Sequence, residues 1–179
     1  MKNRTILITA FCSAMLFSCG GSEQGTSNTS KSDVKTTLTN TTWKSECSLY
    51  SKIPTDNTKE LWNITIKLTI DSSLKATYRT EFFHPTDKAC EVMMFDALDV
   101  STFKVTGKVI TDESIEANGL NETFIYNSDN RDLPTNYTLI YMDSEKLYFG
   151  QNSGSNLGET PETRHSSISL DNYFTQITN

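Results

Sequence analysis

Four cysteines and two histidines are the residues of this chain best suited to covalent, redox or metal chemistry. Cys47 and Cys90 lie far apart in sequence and form no Cys-x-x-Cys pair. A zinc ion held by these two would need two further ligands. In an exported chain the simpler reading is one disulfide, contributing roughly 4 kcal/mol when it closes a loop of about 40 residues. A metal or redox pair is the rival reading. His84 could join Asp87 or Glu81 at a metal ion, because His84-Pro85-Thr86-Asp87 reads as a tight turn. A loop histidine beside a turn carboxylate accounts for the same residues. Gly-rich phosphate loops, H-E-x-x-H and G-x-S-x-G do not occur in the sequence. Carboxylate pairs such as Asp112-Glu113 fall at turns, where solvation explains them. The reading is a protein that is not an enzyme, with no catalytic residue, metal site or cofactor.

Aromatic side chains are the better lead. Trp62, Tyr78, Phe82, Tyr126 and Tyr141 lie on strand-like segments, together with Phe103, Phe124, Tyr137 and Phe149. Facing inward, they would either fill a small barrel or line a cavity for an apolar or amphipathic ligand. Trp62, Tyr78, Phe82, Tyr126 and Tyr141 are the candidate ligand-binding residues. Alternation alone does not separate a filled core from a hollow one. Met93-Met94 could add adaptable lining.

The elements that must position these side chains are strands. Leu61 to Asp71 alternates throughout, with Trp62, Ile64, Ile66, Leu68 and Ile70 on one face and Asn63, Thr65, Lys67 and Thr69 on the other. Ser72-Ser73 turns the chain into a second alternating run, Leu74 to Phe83, and the two make a long hairpin. Shorter runs follow at 90–97, 102–111, 123–127, 137–142 and 146–151, punctuated by turn residues such as Asn118-Gly119 and Asp143-Ser144. An opening strand over 43–51 brings the number to eight. Outside the N-terminus the sequence carries no helical stripe, and 96–101 has room for one helical turn at most. The prediction is an all-β, antiparallel barrel, because closure removes the exposed edges that eight strands would otherwise leave. The longest polar stretch of this body, Gln151 to Glu162, reads as a mobile, exposed loop.

The first residues carry an address. Lys2 and Arg4 precede an apolar run, Ile6 to Phe17, far shorter than the roughly 20 residues of a membrane-spanning helix. Leu16-Phe17-Ser18-Cys19 resembles the lipobox of bacterial lipoproteins, with the bulky Phe17 where a small residue is usual. The resemblance implies cleavage after residue 18, lipidation of Cys19 with acyl chains such as palmitate, and durable anchoring to a membrane. Gly20 after the cysteine points to the outer membrane. Residues 19–37 are rich in Gly, Ser and Thr and read as a lipidated, flexible tether. The body is then 38–179. Loss of residues 1–18 removes Lys2 and Arg4 and no acidic residue, taking the net charge from −6 to −8. That balance excludes a general nucleic-acid binder.

Leu38-Thr39-Asn40-Thr41-Thr42-Trp43 resembles the opening of lipocalin-like barrels, with Thr41 where that family has Gly before the tryptophan. The resemblance implies that Trp43 closes the barrel floor and that a late basic residue, Arg164, covers its indole. Lys146-Leu147-Tyr148-Phe149-Gly150 is similar to a late strand of small exported barrels. A fold of this kind hosts several functions. Two are carried forward: a membrane-anchored binder of a small apolar or amphipathic ligand, and a module that meets an envelope protein partner, as an inhibitor for example, through its loops.

Overall fold

The structure is a computed structural model and describes residues 34–52, 60–128 and 132–178. The proposed signal segment and Cys19 lie outside the described residues. A five-residue helix, α1 (Val34–Leu38), is followed by β1 (Thr41–Ser45), β2 (Ser48–Lys52), β3 (Glu60–Ile70), β4 (Lys75–Phe83), β5 (Met93–Ile110), β6 (Glu116–Asn127), β7 (Asn136–Asp143), β8 (Lys146–Gln151), β9 (Ser167–Ile168) and β10 (Phe174–Gln176).

The alternation of β3 sets the barrel's inner face. Ile64, Ile66, Leu68 and Ile70 pair with Phe82, Thr80, Tyr78 and Ala76 of β4, so these side chains share one side of the sheet. The turn between the two strands is held by Asp71, whose Oδ1 accepts from the Ser73 and Lys75 amides at 2.7 and 3.0 Å. Sequential antiparallel pairing continues from β3 through β8. Closure comes from β1, which pairs with β3 on one side (Trp43 opposite Leu68) and with β10 on the other (Trp43 opposite Gln176). β10 in turn pairs with β8. Strands β1, β3 to β8 and β10 therefore form a closed antiparallel barrel of eight strands, consistent with a lipocalin-like barrel. β2 extends the β1 edge along β3, and β9 adds to the end of β8.

Several sequence expectations need correction. The runs predicted at 90–97 and 102–111 are one strand, β5, so 96–101 is extended and not a helical turn. The predicted strand at 123–127 begins earlier, at Glu116. The opening strand is broken at Glu46-Cys47 into β1 and β2. The closing strand β10 was not anticipated, because three residues give too short a run for periodicity to register. Residues 34–37, assigned to the tether, belong to α1, and Leu38 at its end is fully buried in the barrel floor.

One end of the barrel is plugged. Trp43 is 1% exposed and packs with Leu68, Ile70, Ala76, Phe103, Leu120, Ile140 and Leu147, while its Nε1 donates to Thr41 Oγ1 at 2.7 Å. Arg164, expected to cover the Trp43 indole, instead donates to the carbonyls of Leu120 and Thr138, each at 2.8 Å, and to Asn121 Oδ1 at 2.7 Å. The ring it faces is Tyr137, at 5.6 Å from the centroid. Three oxygen acceptors satisfy a guanidinium fork better than an apolar indole face does, and they hold Arg164 at the β6–β7 wall.

A second, smaller cluster sits on the outer face of β6, β7 and β8. Ala117, Leu139 and Tyr148 are covered there by Ile168 of β9, with Tyr141 and Tyr173 packed at the margin. Cys47 and Cys90 form a disulfide, with Cα atoms 5.9 Å apart, joining the β1–β2 corner to the β4–β5 connection. The 151–162 segment, expected to be a mobile loop, is pinned. The Tyr137 amide donates to Gly158 O at 2.8 Å, the Gly158 amide donates to Thr163 O at 2.7 Å, and Ser153 Oγ donates to Asp112 Oδ2 at 2.7 Å.

Candidate functional site

Above the apolar plug the inner faces of β4, β5, β6 and β7 change character within two residues, while β3 continues apolar with Ile66 and β8 with Phe149. On β4, Ala76 of the plug is followed by Tyr78 and Thr80; on β6, Leu120 gives way to Glu122 and Phe124. Reading β5 and β7 backwards from Phe103 and Ile140 gives Ser101 then Asp99, and Thr138 then Asn136. Of these, Tyr78, Thr80, Asp99, Glu122, Phe124, Asn136 and Thr138, with Ile66, Phe149 and Gly150, line a cavity of about 260 Å³. That is just below the roughly 300–1,000 Å³ of ordinary small-molecule sites, enough for one small ligand.

Glu122 is the centre of the site. It is only 5% exposed. Its Oε1 accepts from the Tyr78 hydroxyl at 2.8 Å and from Ser101 Oγ at 2.9 Å. Among the described residues its Oε2 has a single long contact, from Asn136 Nδ2 at 3.5 Å. Burial raises the Glu122 carboxyl above the usual carboxylate range, against the lowering effect of these donors. Burial likewise pushes the Tyr78 phenol well up, and the neighbouring Glu122 carboxylate adds to it. Tyr78 therefore stays a neutral donor. Asp99 supplies a second carboxylate to the wall, and among the described residues no Lys, Arg or His lines it. The wall is backed by His165, whose Nδ1 lies 2.8 Å from Thr138 Oγ1.

Gly150 fits its place in the wall because a Cβ there would fall 2.8 Å from both Leu139 N and Thr138 Oγ1. A larger residue would force β7 and β8 apart beside the cavity. Next to it a second hollow of about 490 Å³ lies between the β1–β2 corner and the segment leading into β10, and shares Ile66, Phe149 and Gly150 with the first.

Of the five aromatic residues singled out from sequence, Tyr78 alone lines the cavity. Trp62 and Phe82 lie further towards the open end, in a cluster with Tyr50 and Phe95: Phe82 stacks on Phe95 at 4.6 Å and Trp62 meets Phe95 edge-on at 4.9 Å. Tyr126 is half exposed and shares the outer face with its partner Val100. Tyr141 also faces outward, its ring 5.6 Å from that of Tyr148. The residues that sequence reasoning missed are Glu122, Asp99, Ser101 and Asn136. One signal for Glu122 was present: Leu120, Glu122 and Phe124 alternate, which places a carboxylate at an inward position between two apolar ones.

Neither histidine gathers carboxylates around it. His84 Nδ1 lies 2.8 Å from Thr86 Oγ1 in its turn. Asp87 accepts from the Glu91 and Val92 amides. Among the described residues no three His, Cys, Asp or Glu side chains are grouped to hold a metal ion. A run of apolar side chains is exposed where β5 begins: Val92, Met93, Met94 and Phe95.

In comparison with known proteins, the chain matches no family model, no curated protein and no solved structure.

Proposed function

We propose that this protein is a membrane-anchored envelope lipoprotein whose barrel binds one small amphipathic molecule. The observation that carries the ligand reading is the cavity itself: a plugged barrel opens into about 260 Å³ with Phe124 and Phe149 on its walls and buried Glu122 at its base. A buried carboxylate costs more to desolvate than an apolar side chain of similar size, and recognition of a ligand accounts for Glu122 at the base of a cavity. The anchor reading is supported by the Leu16-Phe17-Ser18-Cys19 motif.

Native mass spectrometry on the full chain tests the ligand reading. A co-purifying small molecule that leaves on denaturation is the expected result; an empty barrel that also fails to take up added amphiphiles overturns it. The anchor is tested by palmitate labelling in the envelope, which Cys19→Ser should abolish; an unlabelled parent chain overturns it. The second reading, a protein-binding module, is favoured by the exposed Val92-Met93-Met94-Phe95 run. It requires that Met94→Asp abolish capture of an envelope partner without changing stability.

A further inference from the structure

The cavity's polar groups are not symmetric in what they offer. Two carboxylates, Glu122 and Asp99, line it, and among the described residues no cationic side chain does. Two basic side chains that flank the wall have other partners. Arg164 spends its guanidinium on the Leu120 and Thr138 carbonyls and Asn121. His165 stands behind Thr138, outside the lining. Among the donors at the site, Tyr78 and Ser101 are used on Glu122 Oε1, Asn136 Nδ2 on Glu122 Oε2 and Thr138 Oγ1 on the Gly150 carbonyl, and Thr80 adds a hydroxyl to the wall. Among the described residues Glu122 Oε2 has only the 3.5 Å contact from Asn136, and it is an acceptor with room for another donor. An anionic head group would meet two carboxylates. A neutral head group would leave their charge uncompensated in a mostly buried place. A cation supplies both the missing donor and the missing charge, and the faces of Phe124, Phe149 and Tyr78 attract it as well.

We propose that the cavity is selective for a small protonated amine carrying an apolar, preferably aromatic, body, with the ammonium held between Glu122 and Asp99 and the body against Phe124 and Phe149. This inference rests on the ligand-binding reading above and names its ligand class.

The test is a head-group series of constant size: phenethylammonium, 2-phenylethanol and 3-phenylpropionate, titrated calorimetrically into the full chain at neutral pH, in nanodiscs if the chain is membrane-bound. The expected result is that the amine binds at least about tenfold more tightly than the alcohol, the ratio that a hydrogen bond to a charged partner supplies, and that the carboxylate does not bind. Glu122→Gln should bring the amine and alcohol together while leaving alcohol binding in place. Asp99→Asn, a second variant on a different strand, should reduce the amine preference in part. Equal binding of all three compounds, or preference for the carboxylate, overturns the amine inference and leaves the ligand-binding reading standing. Binding of none overturns both. The comparison on the unsubstituted chain decides the question even if Glu122→Gln fails to fold.

Discussion

The Tyr78 hydroxyl donates to Glu122 Oε1 at 2.8 Å across the inside of the barrel, from β4 to β6, with β5 between them. The bond links two strands that do not pair with each other. It also fixes the height at which the apolar plug stops and the cavity starts, since Ala76 and Leu120, two residues before each partner, belong to the plug.

Glu122→Gln should raise the stability of the empty protein at neutral pH. Burial raises the carboxyl's pKa in the folded state, so the folded barrel favours the protonated form. The contribution is full below the unfolded value and is lost as pH rises through the folded one. At pH 7.5 the variant is relieved of a buried charge. An increase in melting temperature of about 2–4 °C is expected, as about 1 kcal/mol gives in a domain of this size. At pH 4 the gain should shrink. Thermal melts at both pH values check this; a gain independent of pH would place the effect in packing and not in charge.

Tyr78→Phe should act in the opposite direction. It removes one of two short donors to Glu122 Oε1 and leaves a buried acceptor short of a partner. The expected loss is about 1–3 kcal/mol, read from urea unfolding with an unchanged slope. The double variant with Glu122→Gln should lose less than the sum of the two changes, because the partners are in contact.

Cys47→Ser should lower stability by about 2–4 kcal/mol, the usual effect of opening a native disulfide. The bridge ties the β1–β2 corner to the β4–β5 connection, both at the end of the barrel opposite the Trp43 plug. Reductant should destabilise the parent chain equally and leave the variant unchanged. If the parent chain melts at the same temperature with and without reductant, the bridge contributes nothing there.

Gly158→Ala should loosen the segment that crosses β7. Gly158 has φ +76°, and a Cβ there would stand 2.6 Å from His165 Nε2 and 2.8 Å from Asn136 Oδ1. Left-handed backbone alone costs a non-glycine residue roughly 1–2 kcal/mol. The Tyr137 amide, which donates to Gly158 O, should then exchange its hydrogen faster, with little change at β3 and β4. Uniformly faster exchange would mean global destabilisation instead.

The barrel was legible in the sequence because β3 and β4 alternate without interruption, and one wet face against one apolar face leaves little choice of register. The cavity was less so, and the reasons are local. Tyr126 and Phe124 sit two apart and would share a face in a regular strand. A bulge places Val100 opposite Tyr126 and Ser101 opposite Phe124, so Ile125 is the extra residue and Tyr126 is turned outward. Tyr141 reads as inward because its outer face is apolar too, covered by Ile168 and Tyr173 from a segment with almost no strand signal. Asp99 and Ser101 fall at the centre of β5, where their polarity reads as a break between strands. Arg164 was placed by resemblance to lipocalin-like barrels, and its partners here are two backbone carbonyls and the Asn121 side chain, which no sequence pattern marks.

Glu113 gives the acid-side counterpart to Glu122. Its carboxylate accepts from the Ser167 hydroxyl and, at 3.1 Å, from the Ile168 amide. Those bonds, the Ser167 one foremost, lower its pKa from 4.5 to about 2. A carboxyl depressed on folding stabilises the folded state above its unfolded value and loses that contribution as pH falls through the folded one. The window is therefore from about pH 4.5 down to about pH 2. Glu113 is exposed, so the effect is modest and weakened by salt. It nevertheless acts where β9 is held over the outer cluster, since Ile168 both covers Tyr148 and donates to Glu113. Glu113→Gln should lower the melting temperature at pH 7 and converge with the parent chain as pH approaches 2, whereas Glu122→Gln raises it at pH 7. Fluorescence-detected melts from pH 7 to pH 2 check both signs, and a parallel offset across the whole range for Glu113→Gln would show that the clamp on β9 is not ionic.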